Sequence, residues 1–154
     1  MTPQAFERIY YKGAVYSMEN EPLRDYLYQK DIHFIRPNTG CWRGYYGTWR
    51  IKYKKLYLIA LEAYLPPDYE KVGLDYLFPN SDIVFAEWFT GELCLPSGIH
   101  YKNTIMGIVP VYEKKLYLNF VSGKLVGSRE ILTDPKDLED VPKELIDMYG
   151  FSMD

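Results

Sequence analysis

Residues 44–61 read GYYGTWRIKYKKLYLIAL, and residues 104–121 read TIMGIVPVYEKKLYLNFV. Leu116 repeats Leu56 sixty residues later, and the same offset aligns Gly47 with Gly107, Ile51 with Val111, and Tyr57 with Tyr117. Both stretches are dense in β-branched and aromatic residues, each with a polar break, at Tyr53-Lys54-Lys55 or Glu113-Lys114-Lys115. A period of two then turns Leu56 and Leu58 toward a core and Tyr57 to the opposite sheet face. The pattern is that of a hairpin used twice, with the paired lysines as turn and edge charges that discourage sheet-to-sheet association. Two copies are too few for a solenoid, which stacks about three or more units.

Strand chemistry extends outward from this pair. RIYY, AVYSM, IHFI, CWRGYYGTWRIKY, KLYLIALEAYL, DIVFAEWFTGELCLP, GIVPVYE, KLYLNFV and KLVGSREIL are rich in β-formers, and most are bounded by Gly, Pro, Asn or Asp. Lys12-Gly13 and Ser122-Gly123 mark tight hairpins. Helix signals are fewer. PLRDYLYQ begins with a proline suited to a first turn and puts Leu23, Tyr26 and Leu27 on one face. The spacing of Tyr69, Val72, Tyr76 and Leu77 predicts a helix over 68–78, weakened by Gly73, which costs about 1 kcal/mol relative to Ala. After an acidic approach, Asp140 caps a third helix with Val141, Leu145, Met148 and Tyr149 along one stripe, ended by Gly150.

The expected class is therefore α+β: a predominantly antiparallel meander of hairpins, as a duplicated hairpin unit or a partly open barrel, with two or three short helices. No linker or composition shift divides the chain. A single domain over 1–154 is expected, with 133–154 forming an acidic segment and the C-terminal helix.

With 47% hydrophobic and 25% charged residues the chain has a globular composition, which argues against a disordered or fibrous protein. Sixteen Tyr, seven Phe and three Trp are more than one core uses, so some are expected at a binding surface. The formal charge of −3 comes from interspersed signs with no basic stripe, which argues against nucleic acid as a partner. No apolar segment follows a basic start, and no run approaches the ~18 apolar residues of a membrane span. A soluble, cytoplasmic protein without a membrane partner is expected, and in that compartment Cys41 and Cys94 read as free thiols.

Catalytic signals are sparse. Cys41-Trp42, with His100 as a base, invites comparison with a thiol protease, but strand chemistry around Cys41 offers no helix N-terminus to lower its pKa. A buried structural thiol is the reading carried forward. His33 and His100 have no partners at ligand spacing, so no metal and no cofactor is expected. Gly44 and Gly47 read as bulge or close-packing positions rather than a phosphate loop.

The most distinctive constellation is Arg43, Tyr45 and Trp49 on one predicted strand and Glu87, Trp88, Phe89 and Glu92 on another. Strand alternation puts Glu87 and Phe89 on one face and Trp88 and Glu92 on the other, so the two carboxylates form no acid/base pair without a bulge at Gly91. Two readings follow: a glutamate paired with Arg43 to fix the sheet, or an Arg/Glu/Trp surface for a partner.

Over residues 9–126 the blocks YKGAVYSM, EPLRDYL, CWRGYYGTWRI, KLYLIAL, LFPNSDIVFAEWFTGELCLPSG and YEKKLYLNFVSGKLV resemble an uncharacterised family of small bacterial proteins. CWRGYYGTW and AEWFTGEL are the most specific of them. The resemblance implies a bacterial cytosolic domain and carries no activity or catalytic set; residues after Gly127 fall outside it.

The leading expectation is a non-enzymatic binding domain, of immunity or adaptor type, that offers Arg43, Tyr45, Trp49, Glu87, Trp88 and Glu92 to a protein partner. The alternative is a small-ligand-binding protein or hydrolase with Arg43 as anion clamp and Glu87 or Glu92 as acid or base. It requires at least three of Arg43, Tyr45, Glu87, Glu92 and His100 to converge on one cavity.

Overall fold

The computed structural model describes residues 5–105 and 107–135. The chain runs through β1 (Glu7–Tyr11), β2 (Ala14–Met18), α1 (Arg24–Gln29), β3 (Tyr45–Lys52), β4 (Lys55–Leu65) and β5 (Glu70–Val72). It continues through α2 (Leu74–Leu77), β6 (Val84–Phe85), β7 (Gly91–Thr104), β8 (Gly107–Val121) and β9 (Lys124–Leu132). The strands join one open, mostly antiparallel sheet in the order β2-β1-β3-β4-β9-β8-β7, with β5 and β6 added to β4.

Three of the hairpins close on two-residue turns that lie wholly within the described residues. Lys12-Gly13, Tyr53-Lys54 and Ser122-Gly123 all have positive φ at both positions, the geometry whose twist matches that of the flanking strands. All three fall where the sequence predicts turns, the middle one at the polar break of the first KKLYL copy. Two pairings depart from the expected meander: β4 lies beside β9 rather than a sequence neighbour, and β1 and β3 are parallel, with Ile9 opposite Trp49. The chain leaves β2 through α1 and a long irregular segment, enough to cross over and return beside β1 in the same direction.

The repeated KKLYL proves to be used in two different ways. In the first copy Lys52 and Lys55 flank the turn, and β3 and β4 form the expected hairpin. In the second, Glu113, Lys114 and Lys115 lie inside β8, which continues unbroken from Gly107 to Val121. The duplicated hairpin is therefore absent, because β8 has partners on both sides: Lys115 stands opposite Pro96 of β7 and Ile131 of β9. Turning at this point would break both ladders. The local irregularity is taken instead by Gly98 of β7, whose φ is +67 and where a Cβ would stand 2.6 Å from that of Glu113.

Other expectations fail where local chemistry meets tertiary pairing. The helix expected over 68–78 is divided: Glu70–Val72 pairs with β4, with Val72 opposite Ala63, and only Leu74–Leu77 is helical, after an extended Gly73. Residues 32–35 form no strand; Ile35 N–H donates to the Tyr64 carbonyl at 2.9 Å. Residues 41–44 are a turn closed by Gly44 N–H on the Cys41 carbonyl at 3.2 Å, so β3 begins at Tyr45. Residues 86–90 likewise separate β6 from β7, with Phe89 N–H donating to the Ala86 carbonyl at 3.1 Å. Two helices are present among the described residues, and the third, expected from Asp140, lies outside them.

The core lies against the inner faces of these strands. Leu56 and Leu58 are fully buried, as their alternation with Tyr57 requires, together with Leu93, Leu95, Leu118 and Trp49. Each such aliphatic side chain contributes roughly 1.5–3 kcal/mol by leaving water. α1 adds Leu27 to the same core, beneath the preceding Leu23. Asn20 then ties the two edge strands' ends together: its side-chain oxygen accepts from Cys94 N–H at 2.8 Å and its amide donates to the Glu92 carbonyl at 3.3 Å. No helix among the described residues is long and apolar enough to cross a membrane.

Candidate functional site

Arg43 stands at the end of the 41–44 turn, which delivers it toward the start of β1. Its Nη1 donates to the Ala5 carbonyl at 2.7 Å, and its Nε lies 4.0 Å from Glu7 Oε2. The guanidinium also lies over the rings of Tyr45 and Tyr46, 5.4 and 5.7 Å from their centroids. Glu7 is 1% exposed, and its Oε1 accepts from Trp49 Nε1 at 2.9 Å. Gly47 makes that approach possible, because a Cβ there would collide with the Glu7 carboxyl. A glutamate thus pairs with Arg43 to fix the sheet, as one reading of the sequence required, but it is Glu7 rather than Glu87 or Glu92.

Sequence reasoning missed Glu7. A glutamate just before RIYY reads as a solvated strand end, and the one available signal was its place beside the first predicted strand. The parallel β1–β3 pairing puts this residue beside Trp49, and that pairing was not foreseen.

Burial dominates the electrostatics here. It pushes the Glu7 carboxyl up to about 8, against the Trp49 hydrogen bond and the Arg43 charge, which both pull downward. Arg43 loses that contest because one of its arms is already engaged by Ala5 and its Nε stands at the limit of an ion pair. The Tyr45 phenol is also driven well above its ordinary value by burial, reinforced by Glu7 and Glu21. Glu7 Oε2, Arg43 Nε and Nη2, and the Tyr45 hydroxyl are buried with no hydrogen-bond partner among the described residues.

Two adjoining clefts reach this cluster. One, of about 380 Å³, runs between Phe6, Glu7, Glu19 and Arg43; the other, of about 460 Å³, runs between α1 and Phe34, Arg43 and Tyr45. They share Glu21, Trp42 and Arg43. Trp42 is 56% exposed and Tyr28 84%, so the rim is aromatic while the floor is polar. A carboxyl that keeps its proton near neutral pH is in the state a general acid needs. Glu7 nonetheless has no accessible oxygen, so the arrangement acts as an anchor of β1 to β3.

The remaining candidate residues are placed elsewhere. Trp49 is fully buried in the core. Trp88 donates from Nε1 to the Pro22 carbonyl at 2.8 Å and packs between Tyr26 and Phe78, pinning α1 to the 86–90 turn. Glu87 is exposed in that turn. Glu92 forms an ion pair with Arg129 Nη2 at 3.2 Å, across β8, where Arg129 lies 4.1 Å from the Tyr117 ring centroid. Of the five groups that a Glu/Arg cleft would gather, Arg43 and Tyr45 meet, whereas Glu92 has its own cation on β9.

His33 pairs with Asp31 at 2.7 Å in solvent, and no group of three or more metal-binding side chains occurs among the described residues. Both cysteines are free; Cys41 is buried and its Sγ donates to the Tyr45 carbonyl at 3.3 Å, a structural role. The structure defines a mostly β domain with a buried Glu/Arg anchor beneath an aromatic rim. No family model, curated protein or solved structure matches the chain.

Proposed function

We propose that this chain is a non-enzymatic binding domain, of immunity or adaptor type, whose partner-facing surface is the aromatic rim above Arg43. The observation that carries the reading is Trp42, held 56% exposed by the 41–44 turn directly over the cleft that leads to Arg43. Tyr28 from α1 and Phe6 from the start of β1 flank it, both exposed. Trp, Tyr and Arg are the residue types that carry most interface energy when a partner excludes water from them. The cytosolic bacterial setting rests on the sequence resemblance.

A photocrosslinking amino acid placed at Trp42, in the cell that makes the protein, tests the surface. One discrete protein adduct is expected from position 42 and none from position 69, where Tyr69 is equally exposed in the turn between β4 and β5. The same adducts from both positions, or none from position 42, would sink the reading.

A further inference from the structure

A second cavity lies apart from the Arg43 cluster, lined by residues that the sequence marks only as turns. It measures about 740 Å³ and lies where β4 and β9 part company, between the Lys12-Gly13 turn, the Tyr53-Lys54 turn and the first half of β9. β4 and β9 pair at Lys55 and Lys124, and Leu125 N–H donates to the Lys54 carbonyl at 2.8 Å; beyond that point their ladder ends. From 126 to 132 the side of β9 away from β8 pairs with no strand among the described residues. Val126, Ile131 and Leu132 are exposed along it.

The charge of this groove is one-sided. Lys12, Lys52 and Lys54 line it, Lys55 and Lys124 stand at its head, and no Asp or Glu is among its lining residues. None of these five lysines forms an ion pair with a described residue, although Lys12, Lys52 and Lys55 lie over the rings of Tyr11, Tyr53 and Phe85. Of the other charges of β9, Arg129 is spent on Glu92 and Glu130 on Lys114 at 3.7 Å. What remains is an open strand edge leading into an unneutralised basic groove with apolar walls, Ile51 and Val126 among them.

We propose that the β9 edge and its lysine groove accept an acidic extended peptide segment of another protein, added to the sheet as a further strand. Backbone pairing along 126–132 supplies affinity without sequence preference, and alternate acidic side chains meeting Lys12, Lys52 and Lys54 supply selection. Edge lysines repel a second copy of the same edge, which argues against self-association and for an oppositely charged strand. This surface is separate from the Trp42 rim and stands or falls independently of it.

The probe is a labelled peptide of about ten residues, strand length, alternating Glu and Val, followed by fluorescence anisotropy on the full chain. Saturable binding is expected, and a Lys/Val counterpart should not bind. Reversing the groove with Lys12→Glu, Lys52→Glu and Lys54→Glu should weaken the acidic peptide at least about tenfold. All three side chains are exposed, so an unchanged thermal midpoint serves as the folding control. Amides of 126–132 should gain exchange protection in the complex, and a Glu/Val peptide with alternate amides N-methylated should lose binding. The idea is overturned if the acidic peptide does not bind, if the Lys/Val peptide binds equally, or if protection appears elsewhere. Equal binding of a single-stranded oligonucleotide without β9 protection, or a β9-paired dimer without peptide, would also overturn it.

Discussion

Glu7→Gln should make this protein more stable at neutral pH, although it removes the acid that stands 4.0 Å from Arg43 Nε. In the folded chain the Glu7 carboxyl holds its proton up to about pH 8, whereas an unperturbed glutamate releases it near 4.5. Unfolding between those values therefore releases a proton, so the stability contributed by the protonated group is complete below about 4.5 and declines as pH rises. The decline levels off above the folded value. At 1.36 kcal/mol per unit, the full span from 4.5 to about 8 is on the order of 4–5 kcal/mol, of which about 3 kcal/mol is lost by pH 7. Glutamine keeps the acceptor for Trp49 Nε1 and does not titrate. Urea unfolding of wild type and variant from pH 4 to 9 isolates the effect, because other titrating groups cancel in the difference. The two should agree at the acid end, and the variant should lead by a few kcal/mol at pH 7 and above. A constant difference across that range, or a wild type that gains stability relative to the variant as pH rises, would show that Arg43 holds Glu7 ionised and that burial does not win.

Further tests address the frame around this anchor. Gly47→Ala should cost about 2–4 kcal/mol in urea midpoint measurements, because its Cβ has no room beside the Glu7 carboxyl and Trp49. Gly13→Ala and Gly123→Ala share φ +78, but the first opens onto free space and the second meets the Ala86 carbonyl at 2.5 Å. The first should cost about 1–2 kcal/mol for its backbone alone and the second clearly more; equal losses would refute the packing argument. Asn20→Ala should cost about 1–3 kcal/mol and speed hydrogen exchange at the Cys94 amide, which its side chain holds in place of a neighbouring strand. Trp88→Phe keeps the stack on Phe78 and Tyr26 but loses the bond to Pro22, and should lower stability by about 1 kcal/mol with α1 the first element to fray.

What was legible in the sequence was what period and turn chemistry control. The Lys12-Gly13 and Ser122-Gly123 turns, the leucine alternation of β4 and the whole of β9 could be read directly because each is decided within a few residues. The failures share one cause. KKLYL is the same chemistry in both copies, yet it follows a turn in one and sits mid-strand in the other because only the second is flanked by long strands on both sides. Likewise, Val72 fits a helical stripe, but β4 offers it a partner at Ala63. Local pattern proposes and pairing partners decide, and a partner on another strand leaves no trace in the segment's own pattern.

The same reasoning explains why the candidate site was half visible. Arg43, Tyr45 and Trp49 were singled out by residue type, and they do cluster, because the short span from 43 to 49 carries them together whatever the rest of the chain does. Glu87, Trp88 and Glu92 were grouped on the assumption of one straight strand, and the 86–90 turn disperses them: Trp88 to α1 and Glu92 to the cation on β9. Only the paired lysines of the repeat were read, as turn and edge charges, and each of Lys12, Lys54 and Lys124 does sit in or beside a turn. Their common feature is that three hairpin turns gather at the split between β4 and β9, so isolated solubility charges become one field. An interspersed sequence with net charge −3 thus carries a local basic groove, and its overall sign says little about what that groove attracts, since screening confines such fields to about 10 Å.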